Sequence, residues 1–303
     1  MLETLTVVVP AFNERDSLER HLPHWLAWCA REEALLIIVD DGSSDGVEEL
    51  LAAHLTDRRL RVFRHRGNRG YGDAIKTGIY RTETPYVATM DADGQHAIED
   101  IGLLKEAMLR EGADLVIGAR PANQPGGGYR RLGKAVIRRM ASLLFSMKIR
   151  DLNSGMKIYR TELVKRLLPF CPGSMAFSDV VTLAHLNLRC VVREVPIQVV
   201  PRAAGKSTIN TMTAIDTILE IVNVMMWFRP LKIFLPLSAL LMVLGTAWAV
   251  PFLAMGRGLS SIALLLILTG LMCAMLGLIA EQMAAGRRID LPEVATTELK
   301  QPS

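Results

Sequence analysis

Two apolar runs, residues 233–255 and 262–280, constrain this chain more than any other feature, because neither contains Asp, Glu, Lys or Arg. An α-helix rises about 1.5 Å per residue, so about 20 such residues cross a hydrocarbon core. Gly256-Arg257-Gly258 lies in a connection too short to hold a domain, so the runs are expected to form a transmembrane hairpin. A buried pair of helices in a soluble protein would have to explain two adjacent charge-free runs. Arg229, Lys232, Arg287 and Arg288 flank the hairpin on its outer sides, against Arg257 in the connection. That bias places both termini and the large preceding region on the cytoplasmic side of an inner, cytoplasmic membrane. Hydrophobic residues make up 50% of the chain, and much of the excess follows Leu231. The opening residues lack a basic leader and a long apolar run, so no secretory signal is expected. Cys29, Cys171, Cys190 and Cys273 are scattered without metal or disulfide spacing, which suits a reducing setting.

Before the hairpin, short apolar runs alternate with helical patterns. Thr6-Val7-Val8-Val9, Leu35 to Val39, Arg61 to Arg64, Tyr86 to Met90 and Leu115 to Gly118 read as strands. Helices are expected from near Ser17 past Trp28, from about Ala74 to Tyr80, from Glu99 to Arg110, over a basic stretch from Arg130 to Ser146, and from Asp179 to Asn187. Residues 191–200 read as extended. Such alternation predicts an α/β domain with a mostly parallel central sheet and helices on both faces. Residues 1–210 are expected to form it, 211–230 an amphipathic juxtamembrane helix, 231–283 the hairpin and 284–303 a cytoplasmic tail. A helix packed on the globular domain is the other reading of 211–228.

The polar loops fall at the ends of these strands. Asp40-Asp41-Gly42-Ser43-Ser44-Asp45-Gly46 follows the second, where α/β sheets place ligands, and a tight turn with a helix cap is its structural alternative. Asp91-Ala92-Asp93-Gly94-Gln95-His96 follows the fourth. Two carboxylates one residue apart at a strand end can point at one cation that neutralises a diphosphate; a carboxylate-capped turn is the alternative. Asn68-Arg69-Gly70-Tyr71-Gly72 permits close backbone approach but matches neither the dinucleotide fingerprint nor a Walker loop. Residues 121–128, with three glycines and two prolines, read as a loop over the site. Arginine clusters at Arg58 to Arg66, Arg130-Arg131 and Arg138-Arg139 suit phosphate-rich ligands or an anionic membrane surface. No aromatic or zinc module accompanies them, and a nucleic-acid partner is not expected.

Taken in order, several pieces of this chain carry a resemblance. They are Val9-Pro10-Ala11-Phe12-Asn13-Glu14, Val39-Asp40-Asp41-Gly42-Ser43-Ser44-Asp45, Asn68-Arg69-Gly70, Asp91-Ala92-Asp93-Gly94-Gln95-His96, Gly118-Ala119-Arg120, Asp151-Leu152-Asn153-Ser154-Gly155, Val195-Pro196-Ile197, and Arg202 to Ser207. This ordered set resembles the dolichyl- or polyprenyl-phosphate sugar transferases of glycosyltransferase family 2. The resemblance implies a GT-A fold with C-terminal membrane helices. It implies that Pro10, Phe12, Glu14, Asp41 and Asp91 line the nucleotide pocket, and that Asp91, Asp93 and Gln95 surround a Mg²⁺ or Mn²⁺ ion, Asp93 and Gln95 most directly. Arg120, Arg131 and Arg202 are similar to the family's phosphate-contacting arginines, although each alone also suits a solvated surface. Two departures stand out: Gly205-Lys206-Ser207-Thr208 displaces the family's late lysine, and Phe177-Ser178-Asp179 matches its acidic base element only in part. No Gln-x-x-Arg-Trp element follows, which argues against a processive polysaccharide synthase.

The implied reaction is inverting transfer of a sugar from a UDP- or GDP-linked donor to a polyprenyl (undecaprenyl or dolichyl) phosphate at the membrane face. Asp151 or Asp179 is expected either to assist or to serve as a cap or loop anchor. Another lipid or a membrane-bound glycan is the alternative acceptor, and a nucleotide-binding membrane subunit without turnover is the non-enzymatic alternative. Gly and Ala within the spans permit a homo-oligomer.

Overall fold

A computed structural model describes residues 4–121, 149, 151–198, 222, 226 and 229–289, with residues 287–289 by backbone alone. The chain divides into two compact units, Met1–Glu220 and Ile221–Ser303.

The first unit is built on a seven-stranded sheet: β1 (Leu5–Ala11), β2 (Ala34–Asp40), β3 (Leu60–Arg64), β4 (Tyr86–Thr89), β5 (Leu115–Ala119), β6 (Lys157–Arg160) and β7 (Val192–Pro196). Their order across the sheet is β3-β2-β1-β4-β6-β5-β7. Every residue of β1 and β2 is buried, which is why these strands read as unbroken apolar runs rather than alternating ones. The five strands expected from the sequence are present, each within a residue or so of its expected ends. The ladders are parallel except at β6, which runs antiparallel to both neighbours and sets Ile158 opposite Ala88 on one side and Val116 on the other. Nothing in Lys157-Ile158-Tyr159-Arg160 specifies that direction. Strand pairing decides it.

Helices α1 (Arg15–Arg31), α2 (Val47–Ala52), α3 (Tyr71–Tyr80) and α4 (Glu99–Glu111) join the early strands. Leu18, Leu22, Trp25, Leu26 and Cys29 form the buried stripe of α1 at helical spacing. Gly78 lets α3 lie close to β1, because a β-carbon there would overlap the Val8 side chain. After β6 come α5 (Thr161–Leu167), a 3₁₀ turn (Leu168–Phe170) and α6 (Phe177–Asn187), almost all of whose residues are buried. The expected helix over 130–146, the 121–128 loop beyond Pro121 and most of 211–228 lie outside the described residues.

The second unit is a hairpin of α7 (Leu231–Ala254) and α8 (Ser261–Ile289), turned by Gly256 and Gly258 at φ +68° and +73°. Only 17% of each helix's most apolar window is buried, leaving Leu240, Val243, Leu265 and Met272 among many exposed side chains. An apolar surface of that extent is out of place in water and matched to lipid. Close packing between the helices relies on small residues. Gly270 faces Met242, and the Ser238 hydroxyl donates to the Gly270 carbonyl at 2.7 Å. At the other end of α8, the Glu281 carboxylate accepts from the Leu231 amide at 3.2 Å, satisfying one of the open donors at the start of α7.

Candidate active site

Because β1, β2 and β4 run parallel, their carboxyl ends share one edge of the sheet, and the loops that leave them meet there. At the end of β4, Asp93 Oδ1 accepts from the Gln95 amide at 3.1 Å, an Asx turn completed by Gly94 at φ +71°. The Ser17 hydroxyl of α1 donates to the Ala92 carbonyl at 2.5 Å and pins this turn. Asp91 is held on two sides. Its Oδ1 accepts from the Tyr71 hydroxyl at 2.8 Å, while its Oδ2 rests where a β-carbon on Gly155 would overlap it. Burial first, then the Asp91 carboxylate, pushes the Tyr71 phenol well above its ordinary value, so it remains a proton donor.

The β1 and β2 loops interlock beside this turn. Asn13, in the left-handed region at φ +55°, donates its amide to Ser43 Oγ and accepts the Ser44 amide on Oδ1, both at 2.9 Å. Asp45 Oδ2 accepts the Arg15 amide at 2.9 Å, so Glu14 is held between two bonded neighbours. Pro10 ends within β1, and Phe12 just beyond it is 44% exposed at the edge. Asp41 is buried. Its carboxylate accepts from His65 Nδ1 at 2.6 Å and from the Arg69 and Gly70 amides at 2.9 and 2.8 Å, closing the loop after β3 onto β2. Three protein donors therefore engage Asp41, and its most direct effect here is to shape that loop.

On the other side, β5, β6 and the turn between 151 and 155 supply the charged groups. Arg120 grips Asp151 with Nε on Oδ2 at 2.7 Å and Nη2 on Oδ1 at 2.8 Å, and Nη2 also reaches the Asn153 carbonyl at 3.0 Å. Burial works against the Asp151 charge, but the Arg120 hydrogen bonds and charge outweigh it and hold the carboxyl below its usual range. The Asp151 hydrogen bond, opposed by burial, raises Arg120 in turn. Ser154 Oγ donates to the Gly118 carbonyl at 2.6 Å, stapling the turn to β5. Lys157, fully buried on β6, donates to the carbonyls of Leu152 at 2.8 Å and of Ser178. Burial lowers its ammonium to about 8, against the pull of Asp179 and Asp151. Asp179 sits buried in the first turn of α6, where the helix dipole favours its charge.

The fold thus brings Asp91, Asp93 and Gln95 together on one turn and sets Asp91 against Gly155. Arg120 and Asp151 form a second pair, and the charges of Asp91 and Asp179 are near enough to favour the Arg120 guanidinium. Arg131, Arg202 and Lys206 lie outside the described residues. Tyr71, Lys157 and His65 were not singled out from sequence. A tyrosine in a glycine-rich loop and a lysine beside an apolar strand look like surface residues until their partners are known. Burial pushes the thiols of Cys29, Cys171 and Cys190 up to about 12, so none of the three is a thiolate nucleophile near neutral pH.

Among the described residues, no three His, Cys, Asp or Glu side chains gather as a closed metal cage. The donors on the acidic turn are instead two carboxylates and an amide. That set fits a hard cation bound by one or two carboxylates, with substrate phosphates and water completing its shell.

The α/β sheet with its acidic turn and the apolar hairpin each match a family model, and the two matches mark a membrane-associated glycosyltransferase. Residues 6–175 match the model of glycosyl transferase family 2, over half of the chain, and the protein belongs to that family. Residues 229–285 match the GtrB C-terminal hairpin. Among curated relatives, the undecaprenyl-phosphate 4-deoxy-4-formamido-L-arabinose transferase of Edwardsiella ictaluri is 28% identical over 258 residues, covering 84% of this chain and 77% of that protein. That of Proteus mirabilis is 27% identical, covering 82% and 76%. Among solved structures, glucosyl-3-phosphoglycerate synthase from Mycobacterium tuberculosis, in complex with Mn²⁺, UDP and phosphoglyceric acid, aligns with a TM-score of 0.57 at 20% identity over 73% of this chain and 78% of that one. S. aureus TarS in complex with UDP-GlcNAc aligns at 0.52 and 16% identity over 73% and 66%. At these identities the structures are similar in fold.

Proposed function

We propose that this glycosyltransferase moves a sugar from a nucleoside-diphosphate sugar to a polyprenyl phosphate at the cytoplasmic face of a membrane, with inversion and with Mg²⁺ or Mn²⁺. The observation that carries the reading is the convergence of Asp91 and Asp93 with the Arg120–Asp151 pair around one sheet edge, in a chain that also supplies a membrane hairpin. The curated relatives, named as undecaprenyl-phosphate sugar transferases, support the acceptor class.

When bound, a divalent ion at Asp91, Asp93 and Gln95 supplies positive charge against the departing nucleoside diphosphate. Phe12, Pro10, Glu14 and the loop ordered by Asp41 form the nucleotide side of the pocket. A lipid-phosphate oxygen attacks the anomeric carbon while the carbon–oxygen bond to the diphosphate breaks. That oxygen is already anionic near neutral pH, so no protein base has a proton to remove. Positioning is then the principal task of the acceptor side. Asp151 serves it through Arg120. With both carboxylate oxygens on the guanidinium, it fixes the plane of a residue whose Nη1 is not used among the described residues and suits phosphate. Arg131 and Arg202 are assigned to the same phosphate chemistry on motif alone. The arginine count on the cytoplasmic flanks of the hairpin supports the orientation.

The test is to incubate membranes carrying the protein with a panel of nucleotide sugars and polyprenyl phosphate, with and without Mn²⁺ or Mg²⁺. Metal-dependent lipid-linked product from one donor is expected, with a loss of about 100-fold or more in Asp93→Ala at unchanged membrane insertion. Absence of lipid-linked product from every donor, or full transfer by Asp93→Ala, overturns the reading.

A further inference from the structure

We propose that Tyr71 is a positioning residue that orients the Asp91 carboxylate toward the cation and diphosphate. This rests on the metal-dependent reading above and assigns a role outside the acidic motif. Tyr71 is the first residue of α3, reached after Gly70 turns the chain at φ +101°. The start of α3 is itself anchored: the Gly72 and Asp73 amides both donate to the Gly173 carbonyl, at 2.8 and 3.2 Å. Anchoring α3 in this way leaves Tyr71 little freedom to follow a moving carboxylate. Its hydroxyl donates to Asp91 Oδ1 at 2.8 Å. On the opposite side, Gly155 allows Oδ2 a place that any β-carbon would take, and His96 Nε2 stands 3.9 Å away.

The Asp91 carboxylate is therefore clamped at one oxygen by a phenol and fitted at the other by the absence of a side chain. A carboxylate that binds a cation needs such an outer partner, because a freely rotating one must be ordered at the moment of binding. The clamp is specific to the hydroxyl: the ring of a phenylalanine would occupy the same volume and leave Oδ1 without its donor.

The experiment uses the full-length protein in nanodiscs and measures Mn²⁺ binding by electron paramagnetic resonance, in the presence of UDP, for wild type and Tyr71→Phe. Tyr71→Phe is expected to weaken Mn²⁺ binding by about 10-fold, within the range for outer-shell partners of metal ligands. The metal-free melting temperature of Tyr71→Phe should stay within a few degrees of wild type, which separates positioning from folding. In transfer assays the variant should regain part of its rate at high Mn²⁺. Wild-type affinity in Tyr71→Phe overturns the assignment while leaving the metal-dependent reading intact. If the wild type itself binds no Mn²⁺ with UDP, the metal-dependent reading fails first and the assignment with it.

Discussion

Replacing one member of the Arg120–Asp151 pair should cost nearly as much as replacing both. The two charge-assisted bonds are short, at 2.7 and 2.8 Å, and the side chains are 27% and 15% exposed. Removing one partner of a fully buried pair costs about 3–5 kcal/mol, because the other charge is left without compensation. Residual solvent at both groups reduces this to about 2–3 kcal/mol. In a unit of this size, 1 kcal/mol moves the melting point by about 2–4 °C, so Arg120→Gln or Asp151→Asn should each lower it by about 4–12 °C. The double variant should fall no further than the worse single one. The assay is thermal unfolding of the full protein in nanodiscs, followed by the fluorescence of Trp25 and Trp28, both buried in the core of the globular unit. Single-variant losses that simply add, within about 0.5 kcal/mol, would refute coupling between the two residues. The pH dependence has a definite sign. Asp151 is held below the usual carboxylate range when folded, so its contribution is complete above its unfolded value, roughly pH 4, and is lost as pH falls through the folded value. The gap between wild type and Asp151→Asn should be flat from about pH 5 to 8 and narrow in acid.

Three further outcomes are expected. Gly155→Ala drives a β-carbon into Asp91 Oδ2 and should reduce metal-dependent transfer by about 10-fold or more, with retained membrane insertion; wild-type transfer would show that Asp91 is free to move. Lys157 is lowered by burial from 10.5 to about 8, so over that interval the unfolded chain binds more protons and this group makes stability rise with pH. Lys157→Met should remove that rise in melting temperature, and an unchanged slope would contradict it. Leu271→Arg, at an exposed position near the middle of α8, should make membrane insertion less favourable by about 3 kcal/mol in a glycosylation-mapping assay. The same change on a water-facing helix would stay within about 0.5 kcal/mol.

Much of this architecture is legible without coordinates, because local chemistry announces it. Continuous apolar runs such as Val7-Val8-Val9 and Leu36-Ile37-Ile38 mark strands covered on both faces, and a charge-free run too long for a core helix marks a span. Asp-x-Asp after a strand marks a polar turn at the sheet edge. The helix α5 and the direction of β6 were not legible. Thr161 to Leu167 is short, and a four-residue strand carries no pattern that distinguishes parallel from antiparallel.

The amino-acid order by itself determined the alternation of elements, the membrane hairpin and the acidic, oxygen-donating character of the site. Only the tertiary structure decided who holds whom. It brought Tyr71 to Asp91, Gly155 beneath the same carboxylate, Arg120 to Asp151 and Lys157 to the carbonyls on either side of it. The physical reason is that burial and periodicity are properties of neighbours along the chain. The partner of a charged or hydroxyl group depends on strand order, and here the antiparallel β6 seated between β4 and β5 sets the places of Gly155 and Lys157.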